Sequence, residues 1–128
     1  TSIEIKFSDI LDKNNIEYKK QYVIGNYICD FYLPTLNTIF EIHGDYWHGN
    51  KNTYNEDNYS ITQKKNVARD KNKREKIIND GFKYFYVWGS EINNLDTVVN
   101  NGSGIKITLK ETLNLNMENK NGRTFRGQ

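Results

Sequence analysis

The chain has one cysteine, one proline and no long apolar run, and these shortages exclude several classes of protein. A lone Cys29 forms no internal disulfide and cannot supply a cysteine-rich zinc site, so any metal is held by oxygen or imidazole. No stretch approaches the roughly 20 apolar residues of a membrane span, and the N-terminus lacks the pattern of a signal peptide. We therefore expect an intracellular, cytoplasmic protein without a membrane partner.

Charge of one sign is also scarce, because 18 Lys and Arg residues face 16 Asp and Glu residues, which gives a net charge of +2. The 128 residues suffice for one domain with one core, and the 13% of aromatic residues lie in short apolar runs that argue against wholesale disorder. The positive charge is concentrated between Lys64 and Lys76, where seven bases stand against two acids. This segment predicts a positive helix surface.

The spacing of apolar residues predicts an α/β fold with a mixed central sheet. Ile3, Phe7, Ile10 and Leu11 follow a helical period, and a second helix is expected over residues 60–80. Strand patterns cover 18–24, 27–33, 38–43, 82–88 and 105–109. The first three strands suggest an antiparallel meander, and the helix before the fourth suggests a crossover that adds a parallel strand. Residues 100–104 are typical of a linker, and 120–128 of disorder.

Ionisable residues on two neighbouring strands form a candidate metal site. Asp30 interrupts an otherwise apolar strand, and burying its carboxylate is costly without compensation. Glu41 and His43 project from one face of the next strand, about 6.6 Å apart. Hard cations such as Mg²⁺ prefer carboxylate oxygens, so Asp30 and Glu41 are candidate ligands. Alternatively, each residue has a structural role, with Glu41 solvated and His43 a half-buried, satisfied histidine.

The order Asp30, Glu41, one spacer and then His43 resembles the catalytic motif of the PD-(D/E)XK nucleases, with histidine in the lysine position. The segments that narrow the resemblance are Asp30 to Pro34, His43-Gly44-Asp45-Tyr46-Trp47-His48, Asn66-Val67-Ala68-Arg69-Asp70 and Gly81 to Trp88. They are similar to motifs of the very-short-patch repair (Vsr) endonucleases, in the same order. The similarity extends from about Glu4 to Ile92.

The resemblance implies a restriction-endonuclease-like fold and a Mg²⁺-dependent endonuclease acting on double-stranded DNA, with Mn²⁺ as a substitute metal. It makes Asp30 the principal metal ligand, together with Glu41 and the backbone carbonyl of Ile42. It places His43 and His48 at the scissile phosphate, where imidazole suits proton transfer near neutral pH. Glu4 matches an acidic residue that organises metal-bound water.

Two departures qualify the resemblance. No structural zinc is expected, because Asp45 stands where the repair enzymes have their first zinc-binding cysteine. Glu41 stands where those enzymes have an apolar residue, so the chain looks closer to Vsr-like nuclease domains of phage homing endonucleases.

The DNA-contacting residues implied by the resemblance include an aromatic pair. Tyr46 and Trp47 match residues that wedge into a base stack, although both could pack in the core, which we favour for Trp47. The predicted helix supplies phosphate contacts, with a solvated helix face as the alternative. Its candidate residues are Lys64, Lys65, Arg69, Lys71 and Lys73.

The leading hypothesis is therefore a homing-type endonuclease of a phage or mobile element. It would hydrolyse phosphodiester bonds, nick one strand per active site, and act as a monomer or weak dimer on DNA. A nuclease domain is expected at residues 1–99, with a linker and C-terminal extension at 100–128. The alternatives are a non-catalytic DNA-binding module on a nuclease fold, a mismatch-repair nicking enzyme, and HNH-like chemistry with His43 and His48 as metal ligands.

Overall fold

The computed structural model describes residues 2–115, which form one mixed six-stranded sheet with helices on both faces. The strands lie in the sheet in chain order: β1 (Lys19–Ile24), β2 (Tyr27–Leu33), β3 (Thr38–His43), β4 (Lys83–Trp88), β5 (Val98–Asn100) and β6 (Lys106–Thr108). The helices are α1 (Ser2–Lys13), α2 (Ile61–Asn79) and α3 (Leu109–Thr112). The α/β prediction is confirmed. Within residues 2–115, no helix has the length and apolar character needed to cross a membrane.

The strand directions are those the sequence predicts. Strands β1, β2 and β3 form an antiparallel meander, and β4 pairs with β3 in parallel after the α2 crossover. The turn between β1 and β2 begins at Gly25, whose φ of +58° suits a residue without a Cβ. Helix α2 begins after Ser60, which forms a capping box with Gln63.

Each face of the sheet has its own apolar core. On one face, Phe7 and Leu11 of α1 are buried, and the Phe7 ring lies 5.0 Å from that of Phe31 and 5.3 Å from that of Phe40. On the other face, Ile77 of α2 packs with Cys29, Ile39 and Tyr84. Strand β3 is buried along its whole length because both faces are covered. Polar groups on β3 are therefore enclosed by the fold.

The sheet continues beyond residue 99, where the sequence predicts a linker. Residues 101–105 form the connection between β5 and β6, which pair antiparallel. Leu109 and Leu113 lie in the same buried cluster as Phe7. Neither β5 nor α3 is predicted from the sequence, because three or four residues are too few to show a period. Residues 100–115 thus belong to the sheet and its core, while the predicted disorder at 120–128 lies outside the described residues.

Candidate active site

The candidate site forms where β2 and β3 stop pairing through their backbones. Their register runs from Leu33 opposite Thr38 to Phe31 opposite Phe40. Beyond that point two carboxylates take the backbone donors: Asp30 N–H donates to Glu41 Oε2, and Ile42 N–H donates to Asp30 Oδ2, each at 2.8 Å. Charge-assisted bonds of this kind hold the acceptor firmly. Each carboxylate is fixed by one oxygen and has a second oxygen left.

The second oxygens of the two carboxylates have different surroundings. Glu41 Oε1 forms an ion pair with Lys73 Nζ of α2, and the two side chains are only 5% and 15% exposed. Lys73 Nζ also donates to the Ile28 carbonyl at 2.6 Å. Within residues 2–115, no such cation is paired with Asp30 Oδ1. Asp30 is therefore available to a ligand, whereas both oxygens of Glu41, a predicted metal ligand, already have partners. Lys73, predicted to contact phosphate, is instead the internal counter-ion of Glu41.

Burial raises the pKa of both carboxyl groups. For Asp30, desolvation is the largest cause, the Ile42 N–H opposes it, and the negative charge of Glu4 adds to it. For Glu41, desolvation is again the largest cause, followed by the charge of Asp30, while Lys73 lowers the pKa. Glu4 on α1 is thus near enough to Asp30 for its charge to act on that carboxyl group. A cation bound here would relieve this crowding of negative charge.

His43 is enclosed between two rings. Its imidazole stacks on His48 at 4.1 Å with planes 6° apart, and on Tyr86 at 4.7 Å with planes 18° apart. Burial, followed by the charge of His48, lowers the pKa of His43 well below its ordinary 6.5, so the ring is neutral at neutral pH. Its Nε2 is buried and has no hydrogen-bond partner within residues 2–115. The predicted half-buried, satisfied histidine is wrong on both counts.

His48 is held by an acid that sequence reasoning missed. Its Nδ1 lies 2.6 Å from Asp70 Oδ2, so Asp70 orients the ring and leaves Nε2 for chemistry. Asn66, Asp70 and Lys73 recur at i, i+4 and i+7, a spacing that shares one helix face with the buried Ile77. That spacing was the available signal for placing Asp70 in the site.

These groups surround one cavity of about 310 Å³, which we call the site cavity. Its lining residues are Asp30, Glu41, Ile42, His43, His48, Asn66, Arg69, Asp70 and Lys73. The structure therefore brings together every predicted catalytic and metal-binding residue except Glu4, which acts on Asp30 through its charge. Carboxylate, amide and carbonyl oxygens predominate among its possible ligand atoms, a donor set that fits a hard divalent cation.

Ligand atoms of His43, His48 and Asp70 lie within 4.8 Å of one another, close enough for a shared metal. The ring geometry is less suitable, because the lone pair of an imidazole nitrogen lies in the ring plane, and these two planes are stacked 6° from parallel. Lone pairs in parallel planes do not converge on one ion. A shared ion would require one ring to turn, so the arrangement favours a hydrogen-bonded group over the HNH-like metal site.

The two aromatic residues after Gly44 are exposed, with Tyr46 at 41% and Trp47 at 58%, so the expected core position of Trp47 is wrong. Their backbone is tied to α2: the Gln63 side chain donates to the Tyr46 carbonyl at 2.9 Å, and the Asn66 side chain donates to the Trp47 carbonyl at 2.7 Å. The helix that lines the site thus also fixes the exposed aromatic pair beside it.

The predicted phosphate-binding residues separate into three positions. Arg69 and Lys73 line the site cavity, whereas Lys64 and Lys71 line a second, larger cavity beside it. Lys65 lines neither cavity and is exposed. The basic residues of α2 therefore do not form one uniform face.

No family model matches the chain, and no curated protein matches it. Among solved structures, the chain is similar to the catalytic domain of the homing endonuclease I-Bth0305I, with a TM-score of 0.54 and 26% sequence identity. The match covers 73% of this chain and 81% of that domain. The fold thus matches that of a nuclease catalytic domain. The particular likeness is to a homing endonuclease, the class to which the sequence resemblance also points.

Proposed function

We propose that the chain is a metal-dependent endonuclease that nicks double-stranded DNA, of the Vsr-like branch of the PD-(D/E)XK nucleases and of the homing type. The observation that carries the proposal is the site cavity, in which Asp30 and the His48–Asp70 pair meet. The likeness to a homing endonuclease catalytic domain supports it. Such an enzyme would act in the cytoplasm of the cell whose DNA it cuts.

Asp30 and the backbone carbonyl of Ile42 would hold Mg²⁺ or Mn²⁺, with Glu4 oriented toward its water shell. Glu41 supports this arrangement by accepting the Asp30 N–H. When bound, the metal would polarise the scissile phosphate and neutralise the charge that develops on it. The pKa of the paired carboxyl groups, raised by burial, is consistent with a site that gains from a cation.

The chain's own groups supply the proton transfer. His48 Nε2 exchanges a proton with the attacking water or the leaving oxygen, while Asp70 fixes the ring through Nδ1. His43 is neutral and stacks on His48. The stacking holds the His48 ring in its orientation, and His43 adds no positive charge of its own. Arg69 lines the cavity as a donor for a phosphate oxygen.

The surface around the cavity supplies DNA contacts. Lysines 64, 65 and 71 are exposed on α2 and would contact backbone phosphates, and the exposed Tyr46 and Trp47 would contact bases. One active site cuts one DNA strand per encounter. A monomer therefore nicks, and a double-strand break would need a second cut or a weak dimer on DNA.

Conversion of supercoiled plasmid to the nicked form tests the function. We expect nicking in Mg²⁺ or Mn²⁺ and none in excess chelator, because the carboxylates alone cannot stabilise a phosphate dianion in the transition state. Salt-sensitive DNA binding without cleavage in either metal would instead identify a non-catalytic DNA-binding module. Accumulation of the nicked form before the linear form would support one cut per active site.

His48→Asn is expected to lower the nicking rate about 10²- to 10⁴-fold, because it removes the proton-transferring nitrogen. Asp70→Asn should lower the rate less, with unchanged DNA affinity, because it leaves the imidazole in place but weakly oriented. Gel-based rates at saturating protein separate the rate from affinity. Glu75→Gln, on the exposed side of α2, is the matched control. An Asp70→Asn enzyme with the wild-type rate would contradict the role given to Asp70.

A further inference from the structure

A second cavity, of about 500 Å³, lies beside the site cavity between α2, β4 and the segment 49–59. We call it the side groove. His43, His48 and Asp70 line both spaces, so the two are separated only by this cluster. Its volume is within the roughly 300–1,000 Å³ typical of small-ligand sites. Whatever enters the side groove therefore lies next to the reacting phosphate.

The side groove combines an apolar, partly aromatic wall with a basic rim. Tyr86 and Trp88 supply aromatic rings, and Val67 and Ala68 supply the apolar helix surface. Two acids, Glu56 and Asp70, line the groove. The basic lining residues are Lys51, Lys64, Lys71 and Arg74. Aromatic rings suit the face of a nucleobase, and cations suit its phosphate.

Both acids of the rim already have a partner, whereas most of its cations are not paired with an acid within residues 2–115. Glu56 lies 3.4 Å from Lys51, and Asp70 is bonded to His48. Lys64, Lys71 and Arg74 have no carboxylate within ion-pair distance in the described part of the chain. The groove thus presents uncompensated positive charge and calls for an anionic occupant.

The Arg74 side chain passes close to a glycine on the β5–β6 connection. A Cβ on Gly102 would lie 2.2 Å from Arg74 Cδ, so the guanidinium stem passes directly over the glycine. Gly102 also has a φ of +88°, which side-chain-bearing residues rarely adopt. The connection beyond residue 99 therefore completes the groove.

From these observations we propose that the side groove receives a single unstacked nucleotide of the DNA substrate, with its base against the aromatic wall and its phosphate on the basic rim. The inference rests on the proposed function, and it makes the groove a determinant of where the enzyme cuts. Displacing a base from a duplex is costly, and the cost falls when that base is already unpaired. The groove should therefore favour DNA that contains an unpaired nucleotide.

Binding to three matched duplexes in chelator, where no cleavage occurs, tests the proposal. One is fully paired, one carries a single unpaired adenine nucleotide, and one carries an unpaired abasic residue with the same flexible backbone. We expect the unpaired adenine to raise affinity about tenfold or more over the paired duplex, and the abasic residue to lack most of this gain. Equal affinity for the adenine and abasic duplexes would overturn the proposal.

Two variants of α2 locate the effect. Ala68→Phe places a ring in the groove and should abolish the preference for the unpaired adenine. Asn72→Phe adds the same ring to an exposed position that lines neither cavity, and it should retain the preference. Circular dichroism confirms that both variants fold. If Ala68→Phe keeps the full preference, the base binds elsewhere and the proposal is wrong.

Plasmid nicking in Mg²⁺ is measured separately with the wild-type protein. Metal-dependent nicking combined with equal binding of all three duplexes would leave the endonuclease proposal standing and remove the groove proposal. Absence of salt-sensitive binding to any duplex would overturn both proposals.

Discussion

Asp30→Asn is expected to lower nicking at least about 10²- to 10³-fold, the effect of removing a preorganised electrostatic group, while the protein remains at least as stable as the wild type. Asparagine has the same shape and still accepts the Ile42 N–H through its carbonyl oxygen. It lacks the charge that would hold a divalent cation. Activity and stability should therefore change in opposite directions, as is common where a functional charge is buried.

The stability gain has a defined dependence on pH. Burial raises the pKa of Asp30 in the folded protein above its ordinary 3.8, so ionisation of this carboxyl favours the unfolded chain. The advantage of Asp30→Asn is thus complete at pH values above the folded-state pKa, and it disappears as the pH falls toward 3.8. Thermal unfolding between pH 3.5 and about 8 measures it.

Asp9→Asn provides the matched control, because Asp9 lies on the exposed surface of α1. It removes the same charge without changing a buried group, and we expect wild-type nicking and little change in unfolding temperature. A clear loss of stability in Asp30→Asn at neutral pH would show that the carboxylate is fully compensated in the fold. In that case Asp30 would have a structural role.

The strands, helices and strand pairing were predictable wherever an element was long enough to show a hydrophobic pattern. Strands β2 and β3 and the start of α2 are predicted at or within a residue of their observed bounds, because strand-like runs, a proline and turn residues mark them. The parallel pairing of β4 follows from the crossover. Strand β6 is predicted within 105–109, but β5 and its pairing with β6 are not, since β5 has three residues and Gly102 and Gly104 are typical of a linker.

The site was predictable as a set of residues but not as a set of contacts. Asp30, Glu41 and His43 are close in the sheet because β2 and β3 are neighbours, which the sequence indicates. Which partner each side chain takes depends on how α2 rotates over the sheet. That rotation brings Asp70 to His48 and Lys73 to Glu41, and it turns Lys73 from a predicted surface base into a partly buried one.

Lys73→Met is expected to destabilise the protein by about 3–5 kcal/mol, the usual cost of leaving one member of a buried ion pair without its partner. Methionine keeps most of the apolar stem of lysine but leaves Glu41 Oε1 buried with no cation. It also removes the donor to the Ile28 carbonyl, which ties α2 to β2. Chemical denaturation of both proteins gives the free energy of unfolding.

The ion pair on the exposed side of the same helix supplies the control. Lys76 and Asp80 are 3.2 Å apart but 47% and 35% exposed, so Lys76→Met should cost no more than about 0.5 kcal/mol. Adding Glu41→Gln to Lys73→Met removes the unpaired charge and keeps an acceptor for the Asp30 N–H. The double variant should therefore recover much of the lost stability, and the difference from additivity measures the coupling.

DNA binding distinguishes this role from the phosphate contact predicted for Lys73. A lysine that neutralises one phosphate lowers the slope of log affinity against log salt by about 1 when it is removed, with little effect on folding. The buried ion pair predicts the reverse: a large loss of stability and an unchanged salt slope, measured at a temperature where the variant is folded. A changed slope with wild-type stability would place Lys73 on DNA and leave Glu41 free to bind the metal together with Asp30.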